Sequence, residues 1–287
     1  MKIKFFVLVV VAVLFAGVLP VRAFEISPIK MLITADPGTN QTVVLKIKNS
    51  EKNDAVFLLN VFGVSQNNSG TPLFERGVSP AESWVYPEDN KATIKKGETR
   101  SVNFIIKVPA DATPGSYYLG LSAEPQTDKQ SASSLSSRLV SLLTVQVSGV
   151  VQESVLIEKW EKTAGSEDGK KWKFNLNLKN NGSVEVPMRG LVTFKNFKGD
   201  AVFAETIALG NKLLAGSRRA IMSEISVDNR IVIPGLYQAH IALNYGKTNQ
   251  QVSATTYIWY FPVWSKVAAG FLALIVVGFL FMKLRKK

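Results

Sequence analysis

No cysteine occurs anywhere in the sequence, and histidine occurs once, as His240. The first absence excludes a disulfide framework, a thiol nucleophile and any thiolate metal site. A chain of this size must then be held together by its hydrophobic core. His240 stands beside Ile241 in an alternating stretch and reads as a structural residue rather than a general base. No Gly-x-Ser-x-Gly elbow, phosphate loop or metal-spaced cluster is present. Adjacent acids occur at Glu88-Asp89 and Glu167-Asp168, both in turn-like contexts where carboxylates are solvated. These absences argue against an enzyme, and no catalytic residue, metal ligand or cofactor is assigned.

What is present begins at the ends. Met1-Lys2-Ile3-Lys4 is a basic start, followed by an apolar run from Phe5 to Leu19, a break at Pro20, and Val21-Arg22-Ala23. Residues 1–23 read as a cleaved secretory signal. At the other end, Val267 to Met282 carries no polar side chain, and Lys283-Leu284-Arg285-Lys286-Lys287 closes the sequence. Extended back to Val263, the run gives about 30 Å of helix at about 1.5 Å per residue, enough to cross a bilayer. Lys266 lies a turn inside the edge, where its stem can snorkel. Trp259, Tyr260 and Trp264 stand where an interfacial aromatic belt is expected. A transmembrane helix over 263–282 with a cytoplasmic basic tail at 283–287 makes the chain a single-pass membrane protein, its N-terminal portion outside. No Leu-Pro-x-Thr-Gly precedes the span, so the chain is expected to stay in the membrane rather than be joined to a cell wall.

The net charge is +12. Eight of the positive charges belong to the signal, the span and the tail, segments without Asp or Glu, so only +4 remains for everything between. The basic excess is topogenic, and nucleic-acid binding is not expected.

Between the ends, the sequence reads as short strands. Val43, Leu45 and Ile47 alternate with polar or exposed partners, as do Val102, Phe104, Ile106 and Val108, and then Trp172, Phe174, Leu176 and Leu178. The last run follows a hairpin signal at Asp168-Gly169. Period two with one polar face predicts antiparallel sandwiches. The pattern is also written twice. Lys48-Asn49-Ser50 is echoed by Lys179-Asn180-Asn181, Gly97-Glu98-Thr99-Arg100 by Gly216-Ser217-Arg218-Arg219, and Pro114-Gly115-Ser116-Tyr117 by Pro234-Gly235-Leu236-Tyr237. The order is kept, which predicts an all-β ectodomain of two tandem immunoglobulin-like β-sandwiches, residues 24–150 and 151–258. The polar stretch from Glu124 to Arg138 reads as a hairpin loop at one end of the first domain, a recognition loop or a protease-sensitive tip.

The opening "FEISPIKMLITADPGTNQTVVLKIKNS", with Phe24, Pro28, Pro37-Gly38 and Asn49-Ser50, resembles the first domain of WxL-interacting proteins, surface proteins of Gram-positive bacteria. "KGETRSVNFIIKVPADATPGSYYLGL" continues the likeness, as does the order of two immunoglobulin-like domains, one span and a basic tail. The resemblance implies that the first domain associates with peptidoglycan and the second with partner proteins. In "PAESWVYPEDN", Trp84 and Tyr86 share a face if the segment is extended. With Glu82 beside them they are the candidate ligand-binding residues, a stacking platform for sugar rings; facing inward, they would instead fill the sandwich. The expected function is non-enzymatic: binding of cell-wall glycan or other surface proteins, in adhesion or envelope scaffolding. The alternative is a membrane-tethered, chaperone-like assembly factor for secreted or pilus subunits that acts by β-strand addition. Oligomeric state is not encoded in any pattern found.

Overall fold

The computed structural model describes residues 24–126, 138–163, 171–210, 212–227 and 230–285. The signal at 1–23, the turn at Asp168-Gly169 with Glu167, and most of the 124–138 loop lie outside the described residues. The chain packs as two units. One comprises residues 24–63, Arg76–Ala112 and Tyr117–Val145; the other comprises Val64–Glu75, Thr113–Ser116 and the chain from Gln146 onward. The described residues are overwhelmingly strand, and the all-β class with tandem immunoglobulin-like sandwiches holds.

In the first unit, β1 (Phe24–Ser27), β3 (Asn40–Asn49), β8 (Thr99–Lys107) and β6 (Val85–Pro87) form one sheet in that order. The second sheet runs β2 (Lys30–Ala35), β10 (Leu139–Val147), β9 (Gly115–Pro125), β4 (Ala55–Gln66) and β5 (Pro72–Glu75), with β7 (Lys91–Ile94) also paired to β4; β5 and the end of β4 are counted with the other unit. The alternation read from the sequence is the alternation of burial. Val43, Leu45 and Ile47 face the core along β3 while Val44, Lys46 and Lys48 face out, and Val102, Phe104 and Ile106 do the same along β8.

In the second unit, β11 (Val155–Lys162), β12 (Lys171–Asn180) and β15 (Arg218–Ser226) form a three-stranded sheet. The other sheet runs β14 (Ala201–Ile207), β13 (Met188–Lys195), β16 (Gly235–Tyr245) and β17 (Gln250–Tyr260). Trp172, Phe174, Leu176 and Leu178 point inward along β12 as the period predicts. They meet an aromatic core in which Trp160 stacks on Phe174 at 4.7 Å and Phe194 on Phe203 at 4.5 Å. Trp160 also donates its indole N–H to the Ala239 carbonyl at 2.8 Å, a buried bond from one sheet to the other. Burying an indole without such a partner costs free energy, so the bond fixes where the two sheets lie.

The repeated words have a common physical cause. Asn49 and Asn180, each ending a central strand, are fully buried. The Asn49 amide donates to the Asn53 carbonyl at 2.9 Å and to the Ile94 carbonyl at 3.0 Å, and its Oδ1 accepts from Glu51 N–H. The Asn180 amide donates to the Val184 carbonyl at 2.8 Å and to the Leu213 carbonyl at 3.0 Å, and its Oδ1 accepts from Gly182 N–H. The backbone N–H of each donates to the repeated turn, to Glu98 O and to Ser217 O. Those turns need a left-handed residue, supplied by Gly97 (φ 76°) and Gly216 (φ 72°). The Pro-Gly words then open β9 and β16, each strand beginning at the glycine.

Among the described residues one helix, α1 (Val263–Arg285), is long and apolar enough to cross a membrane, and none of it is buried. It follows β17 after only Phe261-Pro262. Lys283 and Arg285 continue the helix, where cations favour its C-terminal end.

Candidate functional site

The residues singled out for ligand contact lie between β5 and β6, and the chain there is not extended. Pro80–Trp84 is a short 3₁₀ helix. Pro at its start has the right φ, and Glu82 folds back so that its carboxylate accepts from Ser79 N–H (3.0 Å) and Gly77 N–H (2.9 Å). This turn packs against β4 at Gly63, where an added Cβ would lie 2.4 Å from the Glu82 carboxylate. Trp84 is 8 % exposed and packs on Tyr117 at 4.5 Å between ring centroids. Tyr86, on β6, is half-buried, with the Lys107 ammonium 5.3 Å from its ring centre. The three side chains therefore do not share one open face. Glu82 is occupied by backbone donors, and the inward, space-filling alternative is the geometry found for Trp84.

The neighbouring acids are likewise tied locally. Glu88 accepts from the Asn103 amide at 2.8 Å, and Asp89 lies 3.7 Å from Arg100. His240 is half-exposed on β16 and its Nδ1 lies 2.9 Å from the Thr255 hydroxyl of the paired strand. Among the described residues, no group of three or more His, Cys, Asp or Glu is arranged to hold a metal ion.

What the sheets do present is edges. A strand with no neighbour on one side offers a row of unpaired N–H and C=O groups, which proteins ordinarily guard with charge, proline, bulges or short length. In the first unit the end strands are short, from three residues in β6 to six in β2. The second unit has four longer ones, and three of them are guarded. β11 carries Glu158, Lys159, Glu161 and Lys162 and a register break between Ile157 and Lys159. β14 carries Glu205 and pairs across a break at Phe194/Lys195. β15 carries Arg218, Arg219 and Glu224, and its open side already donates Ala220 N–H to the Asn68 carbonyl at 2.7 Å.

β17 lacks charge, proline and a bulge, although β11 of the facing sheet runs close beside it. The eleven residues of β17 read "QQVSATTYIWY". They pair with β16 without a register break from Tyr245↔Gln250 to Gly235↔Tyr260, and no other described strand pairs with them. Side chains alternate: Val252, Ala254, Thr256 and Ile258 turn toward the core, while Gln251, Ser253, Thr255, Tyr257 and Trp259 are exposed. At the Trp259 end, the buried hydroxyl of Tyr237 donates to Ile233 O at 2.7 Å; desolvation, then the neighbouring Tyr260, raises its pKa. At the Gln250 end, Glu153 clasps the β16–β17 turn, accepting from Lys247 N–H at 2.7 Å, Thr248 N–H at 3.2 Å and the Thr248 hydroxyl at 2.6 Å. The Thr248 hydroxyl is the largest of the influences that lower the Glu153 pKa.

No family model matches the chain and no characterised protein sequence matches it, so the likeness to WxL-interacting proteins finds no specific support. Among solved structures, the chain is similar in fold to a chaperone–tip adhesin complex of CFA/I fimbriae biogenesis, at 9 % identity and a TM-score of 0.46 over 84 % of this chain and 100 % of the other. It is similar to the class 5 fimbriae chaperone CfaA, at 9 % identity and a TM-score of 0.44 over 84 % and 100 %. It is also similar to the CsuC–CsuE chaperone–tip adhesion subunit complex of Acinetobacter baumannii, at 15 % identity and a TM-score of 0.41 over 81 % and 97 %. Likenesses of this degree carry no argument about function. The likeness is one of fold alone.

Proposed function

We propose that this chain is a non-enzymatic, single-pass membrane protein that holds another secreted polypeptide by β-strand addition at the free edge of β17. Residues 24–150 and 151–258 serve as its two immunoglobulin-like modules. The observation that carries the reading is β17 itself: eleven uncharged residues in unbroken register at the end of a sheet, in a unit whose other long edges carry charge or a register break. Main-chain hydrogen bonds along such an edge supply affinity, and the side chains of alternate residues supply selectivity. Here those are Thr255 and Tyr257, a β-branched residue and an aromatic that fit a pleated partner. In this reading the helix tethers the edge, and the positive charges after it support an orientation with both modules outside the cytoplasm.

The test uses the full chain in its native membranes, with a photo-cross-linking side chain in place of Tyr257 and, as control, of Thr193 on the inner strand β13. The expected result is an adduct with a secreted polypeptide at position 257 and none at 193. Ser253→Lys together with Thr255→Lys, which restore the missing charge guard, should abolish the adduct without changing the melting temperature. An adduct indifferent to those lysines, or no adduct from a folded, membrane-inserted chain, sinks the reading.

A further inference from the structure

The end of the second unit beside α1 is unusually apolar for a surface. Val232 and Ile233, in the loop before β16, are 57 % and 68 % exposed. Trp259 and Phe261 are 68 % and 53 % exposed and stack with their rings 6.0 Å apart and parallel. Trp264, in the first turn of α1, is 55 % exposed and donates its indole N–H to the Val232 carbonyl at 3.3 Å, which fixes the loop beside the helix. The turn joining β13 to β14 lies at the same end of the sheet, because Lys195 pairs with Gln238 and Gln238 with Tyr257. It carries Phe197, 68 % exposed. Scattered apolar residues on a surface need no explanation, but two loops, a strand end and a helix start presenting them together do.

Charge is arranged to match. Beyond Asp228 the sequence contains no Asp or Glu; the Lys198 ammonium lies 5.8 Å from the Phe197 ring centre, Lys266 stands in the first turn of α1, and Arg230 is paired with Glu205 at 2.8 Å. Aromatic and aliphatic side chains ringed by cations are what a bilayer interface accommodates, the rings at headgroup level and the cations near lipid phosphates.

Resting on the reading of α1 as a membrane span, we infer that this end of the second unit is seated in the bilayer interface. The loop bearing Val232 and Ile233 and the turn bearing Phe197 make a second, non-covalent membrane contact beside the helix. The occupant of the patch is lipid. Only Phe261-Pro262 separates β17 from α1, so the cluster lies within a few residues of the point where the chain enters the hydrocarbon. The seat holds the unit at a set height instead of leaving it free on a tether.

The absence of cysteine makes the test direct. Single substitutions Ile233→Cys, Phe197→Cys, Leu272→Cys and Lys247→Cys in the full chain each receive an environment-sensitive fluorophore, and each protein is placed in vesicles containing bromine-labelled phosphatidylcholine. Leu272 reports the span, and Lys247 reports the far end of β17. Quenching and a blue shift at 233, 197 and 272, with none at 247, are expected. Quenching at 272 without quenching at 233 and 197 overturns the inference while leaving the span intact. No quenching at 272 overturns both. A blue shift at 233 that bromine does not quench, and that fades as the protein is diluted in lipid, assigns the patch to a second copy of the chain and overturns the lipid seat. Unchanged melting of each labelled protein keeps misfolding out of the comparison.

Discussion

Asn49 and Asn180 show what a repeated residue is for when it is not a ligand. Each closes a strand by holding a nearby carbonyl, a distant carbonyl and one backbone N–H with a single side chain. Removing the side chain strands those groups in the core, and a buried polar group without a partner costs about 1 to 3 kcal/mol. Asn49→Ala and Asn180→Ala are each expected to destabilise by about 2 to 3 kcal/mol, with little loss from Asn53→Ala, whose backbone carbonyl alone is used; denaturant melts of the three variants check this. The echo at these positions was legible in the sequence, but its cause was not. Asparagine is ordinarily a surface or turn residue, and nothing local marks two of them as fully buried. At Trp84 the reverse holds: the residue type was legible as an aromatic anchor, but its direction depended on a 3₁₀ turn set by Pro80 and the Glu82 carboxylate.

Strands were the most readable elements, because one buried face imposes period two on the side chains and a slip of one residue would turn the whole set outward. Edges were the least readable, because whether a strand has a neighbour is decided by residues far away in the chain. Nothing in "QQVSATTYIWY" says that β17 is last in its sheet, although its lack of charge becomes informative once its position is known. The clasp on its turn is similarly non-local, since Glu153 lies before β11 and its partners Lys247 and Thr248 lie between β16 and β17. A folded-state pKa below the ordinary carboxylate value means that the clasp contributes fully above that value and is lost as pH falls through the lowered one. Hydrogen exchange at the Lys247 and Thr248 amides is therefore expected to lose protection, relative to the centre of β16, as pH falls through the acid range. In Glu153→Gln that pH dependence should be absent. The carboxylate is largely solvated, so the effect belongs to the turn and not to the global melt.

At the scale of the whole molecule, the sequence divides near residue 150 by its repeats, whereas packing assigns Val64–Glu75 and Thr113–Ser116 to the unit that begins at Gln146. Within that unit, Ala220 N–H bonds Asn68 O, Ser116 N–H bonds Ser183 O at 2.8 Å, and an added Cβ at Gly115 would lie 2.7 Å from the Ser183 carbonyl. A fragment of residues 151–258 alone lacks these partners. It should melt below the second transition of the full chain, and adding residues 64–75 in trans as a peptide should raise its melting temperature; equal melting with and without the peptide would show those contacts to be idle. The tandem pattern could not reveal this, because repeats report ancestry of modules and not which surface each loop joins.

The two-residue connection from β17 to α1 has a mechanical meaning. A pull entering at Pro262 acts along β17 and so loads the rungs between β16 and β17 in shear, many together, rather than peeling them one at a time. A guest strand lying along the free edge would share that geometry, because its bonds run across the same strand. Tension between the membrane and a held polypeptide would then be shared by many rungs at once, which resists it better than peeling would.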